Sequence, residues 1–169
     1  MSNSKVNHLF FSQIINIKKQ FFNTELRLLK FFYEITKIFP ISVICIKEFI
    51  FFFVKSRDYF TTKFYLRKLR HLMKSKKIII VHEEPTLIRL IFSFFEDTYI
   101  HNVMLIESKT GDIIDVLFLF TKDRGIAVGI DGSYIKAVNY IFRNYVTLNY
   151  PFNKIESYPV ELRCSLTTV

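Results

Sequence analysis

Two groups of residues in this sequence have the type and spacing to do chemistry, and both suit a polyanion. The first is cationic. Residues 67–77 read Arg-Lys-Leu-Arg-His-Leu-Met-Lys-Ser-Lys-Lys, and residues 63–77 contain no Asp or Glu. On a helix, Lys63, Arg67, Arg70 and Lys74 follow spacings of 4, 3 and 4 and fall in one line. Such a line neutralises successive phosphates, each adding about 0.7 to the salt slope of single-strand binding. The second group is glycine. Three of only four glycines, Gly125, Gly129 and Gly132, lie within eight residues. Glycine is needed where φ is positive or where another backbone approaches closely. A turn Gly129-Ile130-Asp131-Gly132 ahead of a helix brings a phosphate backbone up to exposed N–H groups.

Other chemistry lacks its residues. His8, His71, His82 and His101 are scattered, and His82-Glu83-Glu84-Pro85 has no second histidine one helical turn on. No phosphate-binding P-loop or serine-nucleophile motif is present, and Cys45 and Cys164 pair with no histidine at a recognisable spacing. Asp112, Asp115 and Asp123 read as turn and strand-edge residues rather than metal ligands. No catalytic residue, metal or cofactor is expected. The thiols read as buried or incidental ones in a reducing compartment.

The elements that must position the two groups differ between the halves. Apolar residues at three- and four-residue spacing predict helices over 6–22 and 23–39, the latter stopped by Pro40. Further helices are expected over 42–55 and about 58–74. The apolar runs 38–46 and 49–54 are split by Lys47 and Glu48. Neither reaches the roughly 20 residues of a membrane span, so a buried helix is expected there and a membrane partner is not. After residue 77 the period changes. A short β-branched run (78–81) precedes a helix over 86–96, and strands over 100–107 and 112–120 meet at a turn. A helical turn, the glycine turn, a helix over 133–143 and a strand over 145–149 complete the order. No internal repeat is legible.

Charge divides the chain in the same place. Residues 1–78 carry sixteen Lys and Arg against four acids, and residues 79–169 carry eight against eleven, within a net charge of +9. Half the residues are hydrophobic, which excludes disorder. Twenty Phe beside four Gly and no Trp is the bias of an AT-rich genome, and points to a plastid or another reduced genome, with the cytoplasm as the alternative location.

The stretch from Gly125 to Tyr140, Gly-Ile-Ala-Val-Gly-Ile-Asp-Gly-Ser-Tyr-Ile-Lys-Ala-Val-Asn-Tyr, resembles the KH modules of the NusA transcription-factor family, in archaeal and bacterial forms alike. The resemblance extends over 77–150. It implies a type II KH fold (α-β-β-α-α-β) that binds single-stranded RNA, with Gly129 and Gly132 as the clamp on about four nucleotides. Ile130 and Asp131 would be the variable pair, Lys136 would lie beside it, and Ile126 and Ile135 would face the bases. In the family that pair is usually basic or polar, so the carboxylate of Asp131 departs from it, and Arg124 and Lys136 are expected to offset its repulsion of phosphate. A fainter similarity runs from Asp131-Gly132-Ser133 through Pro151-Phe152 to Val160-Glu161-Leu162, towards the α subunit of bacterial-type RNA polymerase.

The expected architecture is therefore α+β: a helical, basic N-terminal region (1–76), a KH-like domain (77–150) and a C-terminal tail (151–169). The expected function is non-catalytic RNA binding in transcription or ribosome-associated work. The rival is an assembly subunit of a polymerase or ribosome that acts through protein contacts and exposes a Phe-rich patch within 49–64.

Overall fold

The computed structural model describes residues 2–148 and 160–168, which form two compact units. One is continuous, residues 18–84. The other joins the described residues before that segment to those after it. The leading segment supplies α1 (Ser2–Phe11) and β1 (Ile15–Ile17) to this discontinuous unit.

The continuous unit runs α2 (Asn23–Thr36), β2 (Ser42–Ile46), β3 (Phe49–Lys55), a 3-10 turn, α3 (Tyr59–Leu72) and β4 (Lys77–Glu83). Helix α2 turns its apolar stripe inward: Phe32 is fully buried, with Leu28, Phe31 and Ile35 packed beside it. It closes where Lys37 adopts a left-handed φ of 60° and donates its N–H to the Tyr33 carbonyl at 2.8 Å.

The helix expected over 42–55 is instead a β-hairpin. Strands β2 and β3 pair antiparallel from Ser42↔Phe53 to Ile46↔Phe49, leaving Lys47 and Glu48 as the turn. Lys47 takes a φ of 51° there. Strand β3 is central, in the order β2-β3-β4, with β4 parallel to it. Ile50, Phe52 and Val54 enter the core with Phe32, Val43, Leu69 and Ile78. Phe49, Phe51 and Phe53 point to the opposite face and are buried too. A strand buried on both faces reads as an unbroken apolar run and shows no period of two. The N-terminal region is thus mixed rather than helical. Its last strand is β4, so the division falls after Glu84 rather than at residue 76.

The discontinuous unit continues with α4 (Leu87–Phe94), β5 (Ile100–Ile106), β6 (Ile113–Phe118), α5 (Thr121–Val128), a 3-10 turn (Ile130–Gly132), α6 (Ser133–Asn144), β7 (Val146–Leu148) and β8 (Glu161–Leu166). The α+β class holds, but the closing strand is not the expected one. Strand β7 pairs antiparallel with β1, and β8 completes the three-stranded sheet β5-β6-β8, parallel to β6. Leu162 and Cys164 of β8 are buried while Glu161 and Arg163 are exposed, an alternation lying in the segment read as a tail. The domain expected over 77–150 therefore draws its third sheet strand from beyond its boundary. The two units repeat one plan despite the absence of a sequence repeat. Each has a helix, an antiparallel strand pair, a helical crossing and a third strand parallel to the second.

Edge strand β8 has its outward groups answered from both helices of the crossing. The Asn139 amide of α6 donates to the Leu162 carbonyl at 3.0 Å and accepts the Leu162 N–H at 2.7 Å. Arg124 of α5 donates Nε–H to the Cys164 carbonyl at 3.1 Å. An edge answered this way offers fewer groups for another chain to pair with. Replacing Asn139 by Ala removes both bonds at Leu162. An expected loss of about 2 kcal/mol would appear as a lower urea midpoint at unchanged m value.

Candidate nucleic-acid interface

Helices α5 and α6 are separated by the glycine turn, and its backbone conformations explain the residue types. Gly129 has φ 77°, Asp131 φ 53° and Gly132 φ 71°. Asp is among the few side chains that enter this left-handed region at modest cost. Gly129 is fixed for a second reason. A Cβ there would sit 2.8 Å from both the backbone nitrogen and the Cβ of Tyr134. Tyr134 cannot move aside, because its hydroxyl donates to the Phe94 carbonyl at the end of α4 and its ring meets Phe95 edge-on. Gly132 is less constrained, its nearest neighbour being Cε of Lys136 at 3.5 Å. Gly125 lies inside α5 with nothing within 4 Å of a built Cβ.

The turn presents Ile130, 75% exposed, beside exposed Asp131, and Ile126 is 46% exposed on the preceding helix. Ile135 is half-buried on α6. Lys136 reaches back so that Nζ donates to the Asp131 carbonyl at 3.1 Å, bringing its charge to the turn as expected. Arg124 does not serve that role. Its Nε is committed to Cys164 of β8, because α5 turns this residue towards the sheet edge.

The cationic line is also shorter than its spacing suggests. Lys63 and Arg67 lie on α3, and Lys63 places its ammonium 5.7 Å from the centre of the Tyr59 ring. Arg70 folds back, and its Nε and terminal nitrogen both donate to the Ile78 carbonyl, at 3.2 and 3.0 Å. Lys74 lies beyond the last residue of the helix, Leu72. Phe60 and Phe64 are exposed on the same helix, four residues apart, with Lys68 beside them.

Of the residues considered for other chemistry, His82 stacks on Tyr59 with ring centres 3.6 Å apart. Asp115 sits in central strand β6, not in a turn, and accepts a hydrogen bond from Arg163 at 3.1 Å. Among the described residues no group of three or more His, Cys, Asp or Glu side chains is placed to hold a metal ion. No helix there is long and apolar enough to cross a membrane. Burial pushes the Cys164 thiol up to about 12, with Asp115 adding to the rise and Arg124 opposing it. Cys45 is exposed at the surface of β2. Its thiol is also raised, by partial burial and then by Glu25, against Lys76.

Two outcomes follow from these environments. Gly125→Ala is expected to raise stability by about 0.5–1 kcal/mol, as Ala does for Gly inside a helix. Gly129→Ala is expected to lower it by more than the roughly 1–2 kcal/mol of left-handed strain, and Gly132→Ala by about that strain alone. Thermal melts of the three variants rank them. For Cys164, the unfolded thiol ionises from its ordinary value of 9.0 while the folded one keeps its proton to about 12. Its contribution to stability is whole below pH 9 and is lost as pH rises across that window. Cys164→Ala should flatten the alkaline fall in urea midpoint, and a thiol reagent at neutral pH should modify Cys45 well before Cys164.

No protein-family model and no curated protein matches the sequence. Among solved structures, that of APE1850 aligns over 85% of this chain and 100% of its own length, with a TM-score of 0.58 and 18% identity. Neither unit alone could supply that coverage, so the likeness takes in both. At this identity it shows shared fold, and the chain is similar to APE1850 in that sense.

Proposed function

We propose that this chain is a non-catalytic, KH-like protein that holds single-stranded RNA, in transcription or ribosome-associated work. The observation that carries this reading is the turn at 129–132. It is a left-handed Gly-x-x-Gly segment between two helices, with an outward Ile130 and with Lys136 drawn to its backbone. In this reading an RNA backbone approaches along the glycines, where no side chain projects, and meets the N–H groups that open α6. Ile126, Ile130 and Ile135 offer apolar surface to unstacked bases, and Lys136 supplies the charge. Asp131 works against phosphate, so binding at this loop is held below what a neutral residue would allow.

The rival assembly role drew on an exposed Phe-rich segment. Within that segment Phe49, Phe51, Phe52 and Phe53 are buried while Phe60 and Phe64 are exposed, so the patch is reduced to two rings set among cations. The Phe-, Ile- and Lys-rich composition supports a setting in a plastid or another organelle with an AT-rich genome.

The test is binding of a short single-stranded RNA over a salt series. Gly132→Asp tolerates the left-handed backbone and adds a carboxylate at the proposed clamp, so affinity should fall roughly tenfold. Asp131→Lys should raise it by a similar factor and steepen the salt slope by about 0.7. Gly129 is unsuitable as a probe because its substitution disturbs the fold. A native chain with no affinity above that for a nonspecific polyanion would overturn the reading.

A further inference from the structure

The continuous unit repeats the plan of the discontinuous one but lacks its glycine turn. Between β3 and β4 the chain crosses by a single helix, α3, entered through a 3-10 turn at Ser56–Asp58. If RNA touches this unit, it does so without a Gly-x-x-Gly clamp. The outward side of α3 is unusual. Phe60 is 77% exposed and Phe64 is 83% exposed. With 3.6 residues per turn, Phe60, Phe64, Arg67, Lys68 and His71 share one side of the helix. Its opposite side buries Tyr59, Thr62 and Leu69. Neither ring enters the core; Phe60 meets Tyr59 and Phe64 meets Tyr65 edge-on, with ring centres 5.5 Å apart in each pair.

We infer that this face of α3 is a second contact for single-stranded RNA, in which Phe60 and Phe64 stack on bases while Arg67 and Lys68 meet the adjoining phosphates. The inference rests on the RNA-binding reading of the chain. Two arguments select this occupant. Aromatic rings interleaved with cations form the arrangement that binds single strands without reading sequence, each stacked base contributing through its π face. Charge complementarity points the same way: no Asp or Glu occurs from Tyr59 to His82, while seven Lys and Arg do. A face that docks a folded protein would carry a contiguous apolar patch, whereas here the next turn after Phe64 is Arg67, Lys68 and His71. The division of labour is also physically distinct from that at the glycine turn, where backbone groups and aliphatic side chains face the ligand.

The full chain tests this with a short single-stranded RNA across a salt series. Phe60→Ala with Phe64→Ala is expected to weaken binding about tenfold or more at every salt concentration, leaving the slope unchanged. Arg67→Ala with Lys68→Ala should instead flatten the slope by about 1.4. A thermal melt matching the native chain establishes that the fold is intact. The sequence contains no Trp, so Phe64→Trp adds a single indole that keeps the stacking surface. Its emission should be quenched on adding RNA, with native affinity retained. If the double Phe variant binds as the native chain does while Gly132→Asp weakens binding, this inference fails and the RNA reading survives. If the native chain binds no RNA, both fail. Emission of the Phe64→Trp variant that responds to anionic phosphatidylglycerol vesicles but not to RNA overturns the inference in favour of a membrane surface.

Discussion

The discontinuous unit depends on how strand β8 is held. It arrives from far along the chain and takes the sheet edge beside β6, and its outward backbone groups need partners. Asn139 and Arg124 supply them, one from each helix of the crossing. The consequence reaches the glycine turn. Because α5 and α6 are both pinned to the same strand, the residues between them have little choice of path. The left-handed conformations at Gly129, Asp131 and Gly132 connect two ends whose positions are already set. Tyr134 adds a third tie, from the first turn of α6 to α4, and leaves no room for a side chain at Gly129. The turn is thus held by side chains that lie outside it.

Positive charge in this chain is used in two ways, and formal charge alone does not distinguish them. Arg70 serves the Ile78 carbonyl, Lys76 that of Lys47 at 2.6 Å, Lys136 that of Asp131 and Arg124 that of Cys164. Each completes a backbone carbonyl at a strand end, a turn or a sheet edge. A cation so engaged still contributes to the field around the protein, but its donors are partly occupied, and its reach towards a ligand is shorter than its exposure implies. Arg67 and Lys68 are exposed on the same helix face as two phenylalanines and carry their charge outward. The electrostatic footprint is therefore narrower than the excess of basic residues before residue 79.

The elements most legible in the sequence were those with local signals. Helices with an inward stripe, such as α2 and α6, and the β5–β6 pair with Gly111 in its connection, fall within a few residues of their expected bounds. The β2–β3 hairpin was not legible, because its turn is Lys47-Glu48, neither of them a usual turn residue, and because β3 is apolar on both faces. Strand β8 was missed for a different reason. Its alternation is short, and its place is set by pairing with β6 some fifty residues earlier, which no local pattern encodes. At the candidate site the glycine spacing identified the turn, and Lys136 lies where it was expected. The roles of Arg124 and Arg70 were not legible, since spacing does not say which way a guanidinium folds. Asn139 gave no signal at all: an amide in a helix becomes a clamp only once a strand lies opposite.

The interrupted unit also has a bearing on synthesis. Strand β1, at residues 15–17, takes β7 as its partner, and Gln13 and Ile15 share backbone hydrogen bonds with Leu87 and Pro85. The segment before residue 18 therefore waits, unpaired, while the whole 18–84 unit emerges from the ribosome. That unit is contiguous and has all three of its strands by Glu83, so it has what it needs to fold first. The earlier segment can settle only after much of the remaining chain has appeared, and the sheet beside it closes last, when β8 leaves the exit tunnel. Order of emergence and order of folding are thus decoupled for strand β1, which precedes the 18–84 unit in the chain but settles after it.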